Sequence, residues 1–339
     1  MVVTASEQID CDGTTVAISS GDKIYFPEIS ATKRDLVTYY LTVSHAFLEA
    51  NRDRPTMLQR FPNGAGGSSF FQKRVPASRP DWLRTATVST PNGTTSEVLV
   101  LADAAHIVWA VNLGCLGFHP WAYTYDANEM PNELRLDFDP QPGVSFQQVI
   151  EAVTLAFELL DELGLEGFAK TSGNRGIHLY VPFVPLHDSV TVRSYSVAVA
   201  RELERRDPSL VTASWWKEER GKRVFVDFNQ NAPHKTVFGA WSVRPRVGGQ
   251  VSAPFARQHL DAIEPEALTL FEVQRHYDAA SQPWNGYAKA QMRQLSDPFQ
   301  KLVALDVERG LLDAPWPPVY PKMPGEPPRV APSRAKKPD

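Results

Sequence analysis

Residues 134–143 read LRLDFDPQPG, and the alternation of apolar and polar side chains predicts a β-strand that ends at Pro140. Successive side chains of a strand point to opposite faces, so Asp137 and Asp139 share one face. Their bases are roughly 6.5–7 Å apart, and carboxylates at that spacing repel each other unless a cation lies between them. A solvated polar face explains the pattern equally well, because Asp-x-Asp is short and common. Motifs elsewhere in the sequence are needed to distinguish these two interpretations.

The composition predicts an ordinary globular protein, since 42% of the 339 residues are hydrophobic and 22% are charged. No run approaches the ~18 apolar residues of a membrane span, and the N-terminus lacks the pattern of a secretory signal. Cys11 and Cys115 are the only cysteines, which excludes a disulfide framework and a zinc-type spacing. We therefore expect a cytoplasmic protein without a membrane partner. The net charge of −4 argues against a uniformly basic protein, although a local basic patch would suffice for nucleic acid.

The elements that follow the Asp pair predict one sheet backed by helices. A helix begins after Ser145, which has capping-box spacing with Gln148, and ends at Gly164. Strands over 168–171 and 177–184, a helix over 191–205 and a strand over 223–228 come next. This order is a split β-α-β arrangement, compatible with an antiparallel sheet in which several strand ends converge on one face.

Weaker patterns predict the remaining elements. They indicate helices over 31–51, 104–114, 266–277 and 292–309, and a strand over WSVRPR, residues 241–246. From Pro315 the chain is rich in proline and then in basic residues, so we expect an extended surface arm or a disordered tail there.

Asp227 is a lone acid inside the apolar strand FVDF. A buried carboxylate without a partner costs several kcal/mol, so this residue needs one. Either Arg223 or Lys222 pairs with it, or it is a third metal-binding acid beside Asp137 and Asp139.

The turn between the two central strands reads TSGNRGIH, residues 171–178. Its glycines let backbone N–H groups approach an anion, and Ser172, Arg175 and His178 add side-chain donors. A simple hairpin would need only Asn and Gly, so the sequence favours a phosphate-binding turn over a purely structural one.

Cations flank Asp227 on both sides, in the run 215–223 and at Lys235 and Arg244. Together with three acids and an anion-binding turn, they predict phosphoryl transfer at two divalent metal ions, Mn²⁺ or Mg²⁺. The chain has neither GxxxxGK[ST] nor HExxH, and GAGGSS lacks the GxGxxG spacing, which argues against a P-loop, a zinc protease or a dinucleotide fold.

These motifs resemble those of the archaeo-eukaryotic primase superfamily, in the branch of the polymerase domain of bacterial ligase D. The resemblance rests on LRLDFDP, TSGNRGIHLYVP and FVDFNQN, in this order and spacing, and on GDKIYFPE, NLGCLGFHPW and WSVRPR around them. It covers roughly residues 12–300. It implies an α+β primase-polymerase fold, in which antiparallel or mixed sheets are flanked by helices around an RRM-like catalytic core.

The resemblance also implies the domain bounds. We expect one catalytic domain over residues 1–312, with an N-terminal α/β subdomain to about residue 130 and the RRM-like part over about 131–300. A proline-rich tail over 313–339 would follow.

The resemblance assigns Asp137, Asp139 and Asp227 as catalytic metal ligands. Metal A would be held by all three acids and metal B mainly by the first two. Nucleotide contacts are implied for six residues: Ser172, Arg175, His178, His119, Lys235 and Arg244. Arg175 stands where the family usually has Lys, so the charge is kept while the donor geometry changes.

DNA contacts are implied for four residues. Phe70 and Phe71 match an aromatic pair that lies against the nucleic acid near the templating base, and Lys73 follows them. Lys23 falls in the region that binds the 5′-phosphate on the downstream side of a gap or break.

The implied activity is extension of a primer 3′-hydroxyl at short gaps or breaks, with ribonucleoside triphosphates preferred and Mn²⁺ stimulating. Nothing in the sequence resembles a ligase module, so we expect a separate DNA ligase, together with an end-binding protein, at nucleoid-associated DNA. End joining and short-gap filling in excision repair both fit. Two other functions stay open: a Mn²⁺-dependent glycosyltransferase acting on nucleotide sugars, which explains only the Asp pair, and a non-catalytic DNA end-binding module.

Overall fold

The computed structural model describes residues 6–246 and 248–334, which divide into two compact units. The first unit extends to Glu129 and also contains Lys170–Asn174 and Thr236–Ala288. The second unit contains Met130–Ala169, Arg175–Lys235 and the chain from Lys289 onward. The domain bounds expected from the sequence, 1–312 with a tail over 313–339, stay a prediction.

The strands in chain order are β1 Glu7–Cys11, β2 Thr14–Ile18, β3 Ile24–Phe26, β4 Ala31–Thr32, β5 Pro55–Arg60, β6 Phe70–Gln72, β7 Thr85–Ser89, β8 Thr95–Val100, β9 Cys115–Pro120, β10 Glu133–Pro140, β11 Phe168–Thr171, β12 Ile177–Pro182, β13 Val211–Thr212, β14 Val224–Asp227 and β15 Pro254–Phe255. The helices are α1 Lys33–Thr42, α2 Ser44–Asn51, α3 Ala104–Asn112, α4 Phe146–Leu163, α5 Ser189–Arg206, α6 Lys217–Arg220, α7 Leu270–Arg275, α8 Tyr287–Arg293 and α9 Asp297–Glu308.

The second unit is built on a mixed sheet that contains the order β13-β14-β10-β12. Strand β10 runs antiparallel to both β12 and β14, while β13 runs parallel to β14. Helices α4 and α5 pack on β10. The predicted α+β class, with helices flanking the sheets, is therefore confirmed.

Helix α4 shows why the local sequence folds as predicted. Ser145 accepts a hydrogen bond from the Gln148 backbone N–H, and the Gln148 side chain accepts one from the Ser145 N–H. Such a cap stabilises a helix by about 1 kcal/mol. Gly164 ends the helix at φ 68°, a left-handed conformation that glycine adopts without steric cost.

The first unit contains the sheet order β6-β5-β8-β7, with β9 also paired to β5. Tyr40 of α1 makes edge-to-face contacts with Phe47 of α2 and Phe118 of β9, with ring centroids 5.7 and 5.3 Å apart. Its hydroxyl donates to the Leu116 carbonyl at 3.1 Å. These buried aromatic contacts pack the helices onto the sheet.

The helix predicted over 31–51 is two helices, α1 and α2, that meet at Val43. Thr38 and Thr42 donate their hydroxyls to the carbonyls four residues earlier, at 3.0 and 2.9 Å. Hydroxyls bonded back in this way bend helices, which explains the break after Thr42.

Three other predicted elements are shorter or interrupted. WSVRPR forms no strand: only Val243 makes an isolated bridge, since Trp241 has φ 64° and Pro245 lacks an N–H. The helix predicted over 266–277 is reduced to α7. The helix predicted over 292–309 is interrupted between α8 and α9, where Pro298 occupies the first turn of α9.

The proline-rich segment after α9 has little regular structure, yet hydrogen bonds join it to the rest of the second unit as far as Ser333. Trp316 and Glu326 within it are buried. The part of the tail prediction that concerns 335–339 lies outside the described residues. Within the described part of the chain, no helix is long and apolar enough to cross a membrane.

Candidate active site

Three strands of the second unit bring three predicted site residues into one row. Asp137 on the central strand β10 pairs in register with His178 on β12 and with Asp227 on β14. Directly opposite residues point to the same face of a sheet, with Cβ atoms about 4.5–5.5 Å apart. The His178 Nε2 and Asp137 Oδ1 atoms are 3.3 Å apart. Asp139, two residues further along β10, lies on the same face and is exposed.

The surroundings of Asp227 change the pKa of its carboxyl group. Burial, and then the charge of Asp137, raise its pKa from 3.8 to about 6. The backbone N–H of Asn229, which donates to Oδ1 at 2.9 Å, partly offsets this rise in the pKa. The Gln230 side chain donates to Oδ2, also at 2.9 Å. The carboxylate is thus aimed by the turn that follows β14, while the neighbouring acid disfavours its charge.

Arg220 is a cation that interacts electrostatically with Asp227 and Asp139, and the sequence analysis included it only as part of a charged run. Its guanidinium lies 3.4 Å from the centroid of the Phe225 ring and donates to the carbonyls of Ser214 and Trp215. Its charge opposes the rise in the pKa of Asp227. Arg223, an expected partner of Asp227, pairs instead with Glu204 at 3.2 Å.

The donor set suits a hard divalent cation. Asp137, Asp139 and Asp227 offer only carboxylate oxygens, which Mg²⁺ and Mn²⁺ prefer, and a cation would relieve the repulsion that raises the pKa of Asp227. Among the described residues, no three His, Cys, Asp or Glu side chains already stand in a metal-binding arrangement.

Asn231 has a role that the sequence analysis missed. Its side-chain Oδ1 accepts from the Arg135 N–H at 2.8 Å, and its Nδ2 donates to the Arg135 carbonyl at 2.7 Å. The side chain therefore bonds β10 as a neighbouring strand would, just beyond the end of β14. The only signal in the sequence was its place in the motif FVDFNQN.

In the first unit, the predicted anion-binding turn is held by Arg244. The Arg244 Nε donates to the Ser172 carbonyl at 2.6 Å, and the Asn174 N–H donates to the Ser172 hydroxyl at 3.2 Å. Gly173 has φ 72°, and a Cβ there would lie 2.5 Å from the Arg244 side chain. Glycine at this position thus permits the close approach that brings Ser172 and Arg244 together.

A chain of rings in the same unit connects two more predicted site residues, Phe71 and His119, to Arg244. Phe71 contacts His119 edge to face at 5.3 Å between centroids, and His119 contacts Phe238 at the same distance. The Arg244 guanidinium lies 3.9 Å from the Phe238 ring centroid. Phe238, which the sequence analysis did not single out, is the buried ring that joins His119 to Arg244.

The predicted DNA contacts of the first unit lie on its surface. Phe70 and Phe71 are 46% and 56% exposed, which is unusual for phenylalanine and suits stacking on bases. Lys23 donates to the Pro62 carbonyl at 2.8 Å and to the Asn63 side chain at 3.1 Å. Lys73 lies over the ring of Trp121 at 5.7 Å.

Two predicted nucleotide ligands belong to the second unit and lie outside its row of acids. Arg175 is exposed in the turn that precedes β12. Lys235 is half-buried at the end of the loop after β14, where its N–H donates to the Ala232 carbonyl at 3.2 Å. The structure gives neither side chain a contact with the acids, so their roles stay predictions.

Residues 32–284 match the protein family described as the primase-polymerase domain of LigD. The chain is 33% identical over 282 residues to the multifunctional non-homologous end joining protein LigD of Pseudomonas aeruginosa, covering 82% of this chain and 33% of that protein. It is 34% identical over 281 residues to LigD of Mycobacterium tuberculosis, covering 80% of this chain and 36% of the relative. The chain thus spans about a third of the length of these relatives.

A solved structure has a similar fold. The polymerase domain of Mycobacterium tuberculosis ligase D, in complex with DNA, matches with a TM-score of 0.72 and 31% sequence identity. The match covers 78% of this chain and 96% of the other.

Proposed function

Since the chain belongs to the LigD primase-polymerase family, we propose that it is a template-directed nucleotidyltransferase that extends primer 3′-hydroxyl ends at short gaps or breaks in DNA. The relatives' names associate LigD with non-homologous end joining, and the similar solved structure was determined with DNA. End joining is therefore the pathway that we favour over gap filling in excision repair.

One observation carries the proposal: Asp137 lies directly opposite Asp227, with Asp139 on the same face of β10. A structural sheet would avoid two like charges directly opposite each other, because they destabilise the strand pair. A site that binds a divalent cation and a triphosphate requires such a cluster. The hydrogen bonds to Asp227 further support a functional acid, since Asn229 and Gln230 fix its orientation.

Asp137, Asp139 and Asp227 would hold the divalent metals. When bound, Mg²⁺ or Mn²⁺ would supply charge stabilisation for the reacting phosphate and lower the pKa of the attacking hydroxyl. The protein's own contribution is to aim the carboxylates: His178 contacts Asp137, and Gln230 contacts Asp227. The cation Arg220 moderates the negative charge of the row.

The nucleotide contacts proposed are Ser172, Arg175, His178, His119, Lys235 and Arg244. Support for Ser172 and Arg244 comes from their mutual hydrogen bond, which places a hydroxyl and a guanidinium at one turn. Support for His119 comes from its place in the ring chain that ends at Arg244.

The DNA contacts proposed are Phe70, Phe71, Lys73 and Lys23. The two phenylalanines would stack against bases, and Lys73 would contact the backbone. Lys23 uses two of its three ammonium protons on Pro62 and Asn63, which leaves one for a 5′-phosphate.

Finer properties of the activity belong to the same proposal. We expect ribonucleoside triphosphates, ATP among them, to be preferred and Mn²⁺ to stimulate more than Mg²⁺. The product would pass to a DNA ligase, with an end-binding protein at the break, in the cytoplasm at the nucleoid.

The two other functions have less support. A nucleotide-sugar glycosyltransferase needs the Asp pair but gives no reason for Asp227 to stand opposite Asp137. A non-catalytic end-binding module gives no reason to retain all three acids, since like charges weaken both the sheet and DNA binding.

The decisive experiment is extension of a primer across a gap of about one to three nucleotides, with and without a 5′-phosphate, comparing ribo- and deoxyribonucleotides with Mn²⁺. The proposal predicts extension by the wild type and none by Asp139→Ala or Asp227→Ala. Normal extension by either variant would reject the metal-dependent mechanism. Transfer from a labelled nucleotide sugar without extension would favour the glycosyltransferase instead.

A further inference from the structure

The segment after α9 is anchored on a buried arginine of the second unit. We name residues 313–329 the strap. Arg193 of α5 is 1% exposed, and its guanidinium contacts the Asp313 carboxylate at 2.9 Å and the carbonyls of Ala314 and Pro315 at 2.9 and 3.1 Å. The ring of Trp316 packs on this guanidinium, with its centroid 4.0 Å away. The strap thus supplies most of the partners of a buried charge, which is costly to leave unpaired.

Hydrogen bonds between residues of the strap also hold it in one conformation. The buried carboxylate of Glu326 accepts from the backbone N–H groups of Trp316 and Met323 at 2.7 and 3.0 Å. Arg329 donates to the same carboxylate and to the Tyr320 carbonyl at 2.8 Å. These bonds close the strap into a loop whose shape does not depend on helix or strand formation.

Arg193 connects the strap to the third acid of the candidate metal site. Its Nε donates to the Asn229 side-chain oxygen at 2.7 Å, and the Asn229 amide nitrogen approaches the Pro315 carbonyl at 3.4 Å. The backbone N–H of Asn229 is the group that donates to Asp227 Oδ1 at 2.9 Å. A continuous path of hydrogen bonds therefore runs from Asp313 through Arg193 and Asn229 to Asp227.

We infer that the strap is a positioning element of the metal site, and that Arg193 is the positioning residue that transmits its influence to Asp227. The inference rests on the proposed function, because it assumes that Asp227 binds a divalent metal. The strap lies outside residues 32–284, the part of the chain that matches the family, so the match itself does not assign it a role.

The geometry of arginine makes this transmission specific. The guanidinium is a rigid plane, so the groups that fix its Nη atoms on the strap also fix the direction of its Nε–H toward Asn229. Loss of the Asp313 carboxylate would remove the partner of Nη1, while the carbonyls of Ala314 and Pro315 still accept from Nη2. The direction of the Nε–H toward Asn229 would then be less tightly fixed. The expected consequence is a less well aimed Asp227 rather than an unfolded sheet.

The chain offers a matched control. Arg201, on the same helix, pairs with Asp306 at 3.0 Å and donates to the Leu312 carbonyl at 2.6 Å. This pair also ties α5 to the C-terminal part of the chain, and none of its hydrogen bonds leads to Asn229. Asp313→Asn and Asp306→Asn therefore each break an ion pair between α5 and the C-terminal part of the chain. Only the pair broken by Asp313→Asn is connected through hydrogen bonds to Asp227.

The test measures Mn²⁺ binding to the full-length chain without DNA or nucleotide, by electron paramagnetic resonance of free Mn²⁺, well below the melting temperature of each variant. Removing a direct partner of a metal ligand typically costs about 10–100-fold in metal affinity, so Gln230→Ala serves as the reference. We expect Asp313→Asn to raise the Mn²⁺ dissociation constant about 3–10-fold, one step further from the metal. Asp306→Asn should change it less than about twofold, and Asp313→Glu should restore it in part.

Equal Mn²⁺ affinity in Asp313→Asn and the wild type, or an equal loss in Asp313→Asn and Asp306→Asn, would overturn the inference. If Asp139→Asn removes Mn²⁺ binding while Asp313→Asn leaves it intact, only the strap's role fails. If the wild type binds no Mn²⁺, or if Asp139→Asn binds it normally, the proposed metal site fails and the strap's role fails with it.

Discussion

Asp137 lies directly opposite Asp227 across the antiparallel strands β10 and β14, so two carboxylates meet on one face of the sheet. Burial and this neighbouring charge together raise the pKa of Asp227 to about 6. The pair therefore weakens the fold of the metal-free protein at neutral pH, and a bound divalent cation would turn the same pair into a stabilising contact.

Replacing Asp227 should separate stability from activity. We expect Asp227→Asn to raise the free energy of unfolding by about 1–3 kcal/mol at pH 7.5 without divalent cations, because each pKa unit corresponds to about 1.4 kcal/mol. The same variant should fail to extend a primer. Chemical denaturation in a chelator and a primer-extension assay measure the two effects. A variant that is both less stable and fully active would contradict the assignment.

The exposed aromatic pair should matter for DNA and little for folding. Phe71 is 56% exposed, so Phe71→Ala should change the free energy of unfolding by no more than about 0.5 kcal/mol. Stacking on a base is worth about 1–3 kcal/mol, which predicts binding to a primer–template weaker by about 5- to 150-fold. Fluorescence anisotropy would measure the affinity. Leu186, 54% exposed, provides a control, and Leu186→Ala should bind DNA normally.

Two lysines near the start of the chain should behave differently. Exposed Lys23 has two protein acceptors, whereas buried Lys33 donates to the Ser19 carbonyl and to both oxygens of Asn112, at 2.7, 3.0 and 3.2 Å. We expect Lys23→Ala to lose the preference for a 5′-phosphorylated gap at unchanged stability.

Lys33→Met should destabilise the protein by about 1–3 kcal/mol and keep the 5′-phosphate preference, because its ammonium is fully engaged within the protein. Extension rates on phosphorylated and unphosphorylated gaps give the comparison. An unchanged preference in Lys23→Ala would refute the role of Lys23.

Protonation of Glu326 at low pH should weaken the hydrogen bonds that hold the strap in its conformation. Hydrogen bonds from Arg329 and from backbone N–H groups lower the pKa of this buried carboxyl from 4.5 to about 2. A lowered pKa contributes stability that is complete above the unfolded value and is lost as the pH falls from about 4.5 to 2.

We expect this contribution to be roughly 2–3 kcal/mol and to be absent from the pH dependence of Glu326→Gln. Hydrogen exchange of residues 313–329, measured between pH 5 and pH 3, would follow the release directly. Identical pH profiles for the wild type and Glu326→Gln would exclude Glu326 as the acid-sensitive group of the strap.

Local patterns were enough to predict the sheet and much of the candidate site. The alternation around Asp137, the capping box at Ser145 and the glycine-rich turn at Ser172 are properties of neighbouring residues, so a sequence displays them. The expected proximity of Asp227 to the Asp pair followed from the order of elements, which limits how the strands can be arranged.

The features that the sequence analysis missed depend on contacts between distant residues. The strap is ordered because Arg193 binds Asp313, 120 residues away, and no local pattern indicates that pairing. The hydroxyl bonds of Thr38 and Thr42 break the helix predicted over 31–51. The sequence analysis followed the helical spacing of the apolar residues, which does not show those bonds.

The side chain of Asn231 has a consequence for insertions in this sheet. Because it bonds the backbone N–H and carbonyl of Arg135, it fixes which side chains of β10 point to the face that carries the acids and which point to the core. A shift of the strand pairing by one residue would exchange the two faces and point the Asp137 side chain into the hydrophobic interior. Insertion of one alanine between Arg135 and Leu136 should therefore abolish primer extension as completely as replacing one of the acids, although every original side chain would still be present.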